Sequence, residues 1–258
     1  MAKGRKQQAA TVRKAGATHH RVQLLEVFAR NKSALSAVWA AHGKTVVRIV
    51  QRDSKVPMKP MPRIGKAKGQ IKAGRVVNWA LNLHVDADKR ALLRFVSVYC
   101  PRDIWTAPSC RTRCTWHRLT HARTGKRPVG EDYQDKVLLY CRLLHRHQQE
   151  LGGRSHHEQP GRSKRFFDST QMPWAISPKM RAVLVSACAF GKREPSGKQR
   201  LLGKVWRIES SSAALLSGLE PYQCAGGHAH AICKGRNATM SAFYPRRMGE
   251  AIFAALHA

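Results

Sequence analysis

The chain has 258 residues, 43% of them hydrophobic, which is enough for a buried core in one large domain or two small ones. Lys and Arg number 47 against 15 Asp and Glu, and the resulting formal net charge of +32 makes the chain repel itself unless a polyanion is nearby. No apolar run is long enough to cross a membrane or to follow the basic start as a signal peptide. We therefore expect a nuclear or cytoplasmic protein that is neither secreted nor bound to a membrane.

The first third of the sequence predicts a β-α-β unit. Residues 1–22 are basic and lack an apolar period, which is typical of a disordered arm. A buried strand is predicted at 22–29, a helix at 33–42 between an N-terminal Ser33 and a terminating Gly43, and a second strand at 44–50. This order favours a parallel sheet, and residues 52–75, with three prolines, are expected to form a basic loop or insertion.

The alternation of strands and helices continues along the chain. We predict strands at 76–83, 103–107, 155–158, 183–190 and 203–209, the last paired with the strand before it as a hairpin, and helices at 86–96, 131–151 and 245–256. The predicted fold class is α/β, with a mostly parallel sheet, an antiparallel last strand and helices on both faces. Residues 23–210 would form this domain, and residues 211–258 would pack on it as a Cys/His loop and a helix.

Composition points to the partner class. Residues 44–75 carry ten basic residues against the single acid Asp53. DNA or RNA is the expected partner, because neutralised phosphates release counterions, although such a composition also binds other acidic surfaces. Seven cysteines, an odd number, indicate reduced thiols in preference to a disulfide framework. The sequence names no protein partner.

Two strand ends carry reactive groups. The strand at 103–107 stops at a turn that contains Cys110, and the next predicted strand ends with Glu158. A thiol and a carboxyl at neighbouring strand ends would make a catalytic site. The alternative is that Cys110 is a buried structural thiol.

Three segments resemble one family. Residues 24–29 with the following helix, residues 103–110 and residues 153–160 are similar to a degenerate methyltransferase domain found in eukaryotic retrotransposon-type sequences, itself similar to cytosine-5 DNA methyltransferases. Residues 187–192, 224–230 and 241–245 resemble the same group. The resemblance implies a Rossmann-like methyltransferase sheet and an S-adenosylmethionine-dependent DNA (cytosine) methyltransferase activity.

The resemblance also implies a cofactor site. S-adenosylmethionine would lie at the loop after the first strand, with Glu26, Phe28 and Pro108 among the residues that bind it and Asp53 on a ribose hydroxyl. Asp53 is otherwise a solvated charge in a basic loop. The loop at 28–33 has no glycine, unlike cofactor loops of this fold, so we expect little or no binding of the cofactor.

The implied catalytic residues are Cys110, which would attack the cytosine ring, and Glu158, which would hold the polar edge of a flipped base. The sequence departs from the family pattern with Ser109 in place of a second proline, and with Gln159 and Pro160 after the glutamate. Four further residues, Arg111, Arg113, Trp116 and Arg118, form a basic cluster in which the indole would stack a base.

A second group of candidate ligands lies in the Gly-rich loop near the C-terminus. Cys224, His228, His230 and Cys233 fall within ten residues and would supply the four soft ligands of a zinc site. The alternative is a turn whose Cys224 packs in the core. Two functions therefore stand: a methyltransferase-fold protein of mobile-element origin that acts on or binds nucleic acid, and a non-catalytic nucleic-acid-binding protein with a zinc-bound loop.

Overall fold

The computed structural model describes residues 22–29, 33–51, 61–62, 71–72, 74–83, 85–110, 122–125, 131–161, 179–195 and 199–258. The predicted arm up to residue 21 and most of the basic loop at 52–75, including Asp53, lie outside these residues. So does the predicted base-stacking cluster of Arg111, Arg113, Trp116 and Arg118.

Within the part of the chain that the structure describes, nine strands form two sheets. In chain order they are β1 (Leu24–Val27), β2 (Val46–Gln51), β3 (Val76–Leu81), β4 (Asp103–Thr106), β5 (Arg154–Pro160), β6 (Arg181–Ser186), β7 (Leu201–Leu202), β8 (Val205–Ser210) and β9 (His230–Ala231). The main sheet has seven strands in the order β3-β2-β1-β4-β5-β8-β6, and β7 pairs with β9 separately. Strands β1 to β5 are parallel, and β8 runs antiparallel to both β5 and β6.

The described residues include the α-helices α1 (Ala34–Ala41), α2 (Asp86–Tyr99), α3 (Glu131–Glu150), α4 (Ala213–Leu219), α5 (Gly235–Met240) and α6 (Arg246–His257). One hydrophobic cluster joins α1, α4 and α6 to one face of the sheet, around Trp39, Trp105 and Trp206. The other joins α2 and α3 to the opposite face, around Trp79 and Phe95. The predicted α/β class, the mostly parallel sheet and its antiparallel last strand are confirmed.

Alternation along each strand explains this layering, because successive side chains of a strand point to opposite faces. Leu24 belongs to the first cluster and Leu25 to the second, and both are fully buried. A parallel strand with helices on both sides is therefore mostly apolar, and in β1 Glu26 is the one polar residue. The helix α1 begins as predicted, with the Ser33 hydroxyl accepting from the Ser36 amide.

Two predictions about the second half of the chain need correction. The strand expected at 183–190 ends at Ser186, and a 3-10 helix (Ala187–Phe190) follows, ended by Gly191 at φ 71°. The segment after β8 was expected to be loop until the last helix, but it contains α4, whose cap is the Ser212 side chain. The hairpin partner of β6 is β8 as predicted, and β8 inserts between β6 and β5.

The C-terminal helix α6 packs closely against α1 and α4 on one face of the sheet. A Cβ placed on Gly249 would lie 3.1 Å from the Val38 side chain, and one placed on Gly218 would lie 2.5 Å from Ala255 Cβ. Glycines therefore allow α6 to approach α1 and α4 closely. This packing fixes the segment before α6, which contains Tyr244. Within the described ranges, no helix combines the length and the apolar character needed to cross a membrane.

Candidate functional site at the carboxyl edge of the sheet

The strand order reverses between β1 and β4, since β2 and β3 lie on one side of β1 while β5 lies beyond β4. Loops that leave the carboxyl ends of two such strands diverge and open a crevice, which is where ligands bind in open α/β sheets. In this chain the two strands lead into the loop that begins at Phe28 and the turn at residues 108–110, so the crevice is expected between them. The sequence-predicted residues Glu26, Phe28, Pro108, Cys110 and Glu158 all lie at this edge.

Glu26 lies near the end of β1 and fastens that strand to α1. Its carboxylate accepts a hydrogen bond of 2.6 Å from the Ser33 hydroxyl and another from the Ser36 hydroxyl. Burial raises the pKa of Glu26, and the two serines and the Arg48 charge oppose that rise. Both carboxylate oxygens are thus used inside the protein, at the first turn of α1.

The polar row continues on the same face of the sheet. Arg48 lies opposite Glu26 in β2, and its Nε donates to Asn78 Oδ1 in β3 at 2.6 Å. Arg48 is itself buried, and desolvation lowers its pKa while Glu26 raises it. Neighbouring strands β1, β2 and β3 therefore each place one polar side chain on the same face of the sheet, at paired positions.

Phe28 takes a glycine-like backbone conformation without being glycine. Its φ is 64°, in the left-handed region that side chains other than glycine rarely adopt. The ring packs against a cluster that contains Val137, Cys141 and Met180, which holds the residue in place. The loop after β1 therefore begins with a sharp turn at a residue that carries a side chain, and that side chain packs into the core.

The turn after β4 is anchored to α3. Pro108 is buried, Ser109 is exposed and Cys110 is half-buried. Gln134, in the first turn of α3, donates from Nε2 to the Ser109 carbonyl at 2.5 Å. The thiol of Cys110 consequently sits on a fixed turn at the crevice edge.

Glu158 lies in β5, which neighbours the strand that leads into that turn, and its carboxylate contacts a residue from the C-terminal segment. It follows His157, which pairs with Thr106 at the end of β4. The Tyr244 hydroxyl donates to Glu158 Oε2 at 3.2 Å and accepts from Trp105 Nε1 at 3.2 Å. Burial raises the pKa of the half-buried Glu158, while Lys204 and the Tyr244 bond lower it.

A buried ion pair supports β4 and β5 from the same face. Asp103 accepts from Arg154 Nε at 2.7 Å and Nη2 at 2.8 Å, and lies 3.0 Å from His156 Nε2. Burial alone would raise the pKa of Asp103, but the bonds and charges of His156 and Arg154 outweigh it and lower that pKa. The Asp103 carboxylate thus binds the two strands together.

The opposite face carries a second polar group. The Thr106 hydroxyl lies 2.7 Å from His145 Nε2 and 2.6 Å from His157 Nδ1, and Gln159 Nε2 lies 3.0 Å from His157 Nε2. Burial lowers the pKa of His145 to about 3 and that of His157 well below its ordinary value. Both rings are neutral near pH 7, so they act here as hydrogen-bonding groups without charge.

The Cys/His loop forms a group that metal ions could occupy. Cys188, Cys224, His228 and His230 have ligand atoms that all lie within 4.8 Å of one another. Three of the four predicted ligands are in this group, and Cys188 takes the place expected for Cys233. The Cys233 thiol instead donates to the Asn237 carbonyl at 3.8 Å.

Sequence reasoning missed Tyr244 and Cys188. Tyr244 lies 86 residues from Glu158, and Cys188 lies far from the other ligands along the chain, so no local spacing links them. The side chains of Trp79, Trp105 and Trp206 are buried in the core.

Comparison with known proteins assigns no family. No protein-family model matches the chain, and no curated protein matches it. The function therefore has to be argued from the residues at the carboxyl edge and from the charge.

Proposed function

We propose that this protein binds nucleic acid at the carboxyl edge of a Rossmann-like sheet of the methyltransferase type, and that it derives from a mobile element. The observation that carries the proposal most is the strand order, whose reversal between β1 and β4 lies beside the Cys110 turn and Glu158. Open α/β sheets bind their ligands at such a reversal. The net charge of +32 makes a polyanion the best-matched ligand.

Cations flank this edge. Lys204 precedes β8, which starts where β5 ends, and its charge acts on Glu158. Exposed basic residues are frequent in the later part of the chain: Lys179, Arg181, Arg193, Lys234, Arg236 and Arg247. Such side chains would contact phosphates, which position a nucleic acid without reading its sequence.

S-adenosylmethionine fits the crevice poorly. The oxygens of Glu26, its candidate acidic partner, are taken by Ser33 and Ser36, and Phe28 stands at the turn in place of a glycine. We therefore propose a binding function on an inherited scaffold and assign no methyl transfer to it. The Cys/His group would be the zinc-bound loop of that scaffold.

Methyl transfer to cytosine is the second candidate, and one arrangement favours it. Cys110 lies in the anchored turn after β4 and Glu158 in the neighbouring strand β5, and the raised pKa of Glu158 would favour the protonated carboxyl that donates to a ring nitrogen. In that case Cys110 would be the nucleophile and Glu158 would hold the base.

Binding is tested by fluorescence anisotropy with labelled DNA and RNA oligonucleotides over a range of salt concentrations. The logarithm of affinity should fall linearly with the logarithm of salt concentration, and affinity indifferent to salt would refute the proposal. Lys204→Gln should weaken binding and make the salt slope shallower by about one unit. Lys44→Gln, at the opposite edge before β2, is the matched control and should change neither.

The second candidate is tested separately by transfer of a labelled methyl group from S-adenosylmethionine to DNA. We expect no transfer above that of Cys110→Ala, and no heat of cofactor binding in calorimetry. Transfer that is lost in Cys110→Ala would establish the enzymatic alternative.

A further inference from the structure

We propose that Cys188, Cys224, His228 and His230 form a tetrahedral zinc site that fastens the segment between α4 and α6 to the end of β6. This inference shares with the proposed function only the idea that the Cys/His group binds zinc. It does not depend on whether the protein binds nucleic acid. It replaces Cys233, the ligand expected from local spacing, with Cys188 from a different part of the chain.

The distances among Cys224, His228 and His230 are close to those of a zinc tetrahedron, and the Cys188 ligand atom lies within 4.8 Å of the other three. With Zn–S bonds of about 2.3 Å and Zn–N bonds of about 2.0–2.1 Å, tetrahedral angles place sulfur and nitrogen ligands about 3.6 Å apart. Cys224 Sγ lies 3.8 Å from His228 Nε2 and 3.6 Å from His230 Nε2. The two Nε2 atoms lie 2.9 Å apart, so a shift of about 0.5 Å would bring them to tetrahedral spacing.

Separate elements bring the ligands together. Cys188 lies in the 3-10 helix after β6. Cys224 is held next to that helix because its amide donates to the Ser186 hydroxyl at 3.1 Å, and the Tyr222 ring stacks on Phe190 with ring centroids 4.4 Å apart. The two cysteines are not joined by a disulfide.

The histidines reach the same point by a tight turn. Gly226 and Gly227 have φ values of 82° and 72°, which return the chain toward Cys224. His230 then pairs with Leu201 in the β7-β9 sheet. The Gly226 amide also donates to Cys224 Sγ at 3.4 Å, a bond of the kind that supports a metal-bound thiolate.

The segment needs such a fastening. From residue 221 to residue 240 Ala231 is the single buried residue, and the Ile232 side chain is 62% exposed. So little apolar burial cannot offset the conformational entropy of ordering twenty residues. Four protein ligands leave no open position on the ion, which indicates a structural site.

The site is tested on untagged protein prepared in reducing buffer and dialysed against zinc, with metal content measured by mass spectrometry. We expect one zinc per chain, and near zero in Cys188→Ser and His230→Ala. Cys233→Ser is the matched control and should keep one zinc per chain. No zinc in the unaltered protein, or equal loss in Cys233→Ser, would overturn the proposal.

Two measurements cover variants that fail to fold. In the unaltered chain, Co²⁺ should give the absorption of a tetrahedral thiolate site, and chelation should accelerate amide exchange at 221–240 but not in β1 or β4. Exchange unchanged by chelation would contradict the structural role, and a Cys188–Cys224 disulfide in thiol-labelling mass spectrometry would contradict the zinc ligand set. Anisotropy on the same preparations shows separately whether nucleic-acid binding holds.

Discussion

Tyr244→Phe tests the hydrogen bonds that Tyr244 makes with Trp105 and Glu158 near the carboxyl edge of the sheet. The hydroxyl of Tyr244 accepts from Trp105 Nε1 and donates to Glu158, each at 3.2 Å, and the Trp105 side chain is 0% exposed. Removing the hydroxyl leaves a buried indole N–H without its partner, which costs about 1–3 kcal/mol. We expect the free energy of unfolding to fall by about 2 kcal/mol and Tm by roughly 4–8 °C.

The assay is urea unfolding followed by tryptophan fluorescence and circular dichroism. Tyr222→Phe is the matched control, because it removes a hydroxyl from a ring that stacks on Phe190 away from Glu158. The control should change the unfolding free energy by less than about 0.5 kcal/mol. Equal effects of the two substitutions would refute the reasoning.

The Tyr244 prediction also has a pH dependence. Burial raises the pKa of Glu158 above its unfolded value, so this group favours the folded state at acid pH and that contribution is lost as pH rises through its folded pKa. The Tyr244 bond favours the charged carboxylate, and its loss should matter most where Glu158 is ionised. The stability difference between Tyr244→Phe and the unaltered protein should therefore shrink as pH falls, and a difference that grows would contradict the account.

Two further substitutions test the frame beneath the site. Asp103→Asn breaks the buried ion pair with Arg154 and should lower the free energy of unfolding by about 3–5 kcal/mol. Because the pKa of Asp103 is lowered in the folded state, the stability that this carboxylate contributes should be lost as the unaltered protein is acidified. Gly218→Ala places a methyl group 2.5 Å from Ala255 Cβ and should cost about 1–3 kcal/mol in chemical unfolding, whereas Ser217→Ala on the exposed side should cost little. A loss of less than about 0.5 kcal/mol in Asp103→Asn would contradict the ion pair described above, and so small a loss in Gly218→Ala would contradict the close helix packing.

Much of the fold could be predicted because it depends on local patterns. The apolar run at β1, the Ser33 cap and Gly43 are readable within twenty residues, and they fix the first β-α-β unit. The strand predicted at 183–190 overran because its apolar residues continue into the 3-10 helix, where packing decides the backbone. The helix α4 was not predicted because its seven residues are too few to show a helical period of apolar residues.

The site was less predictable because its contacts are long-range. Glu158 could be placed at a strand end from the sequence, but its partner Tyr244 comes from a segment beyond β9. Likewise Cys188 joins the Cys/His group only because β6 and the turn after α4 are packed together. Tertiary packing, which spacing along the chain does not encode, selects these partners.

Amide hydrogen exchange with and without saturating nucleic acid tests the central claim most directly. If nucleic acid binds at the carboxyl edge, exchange should slow at residues 28–29, 107–110 and 158–161. The exchange rate should stay unchanged at residues 43–45, 100–102 and 152–154. These residues lie at the opposite, amino edge of the same sheet, where strands β2, β4 and β5 begin. Slowing confined to the amino edge, or spread equally over both edges, would contradict the account.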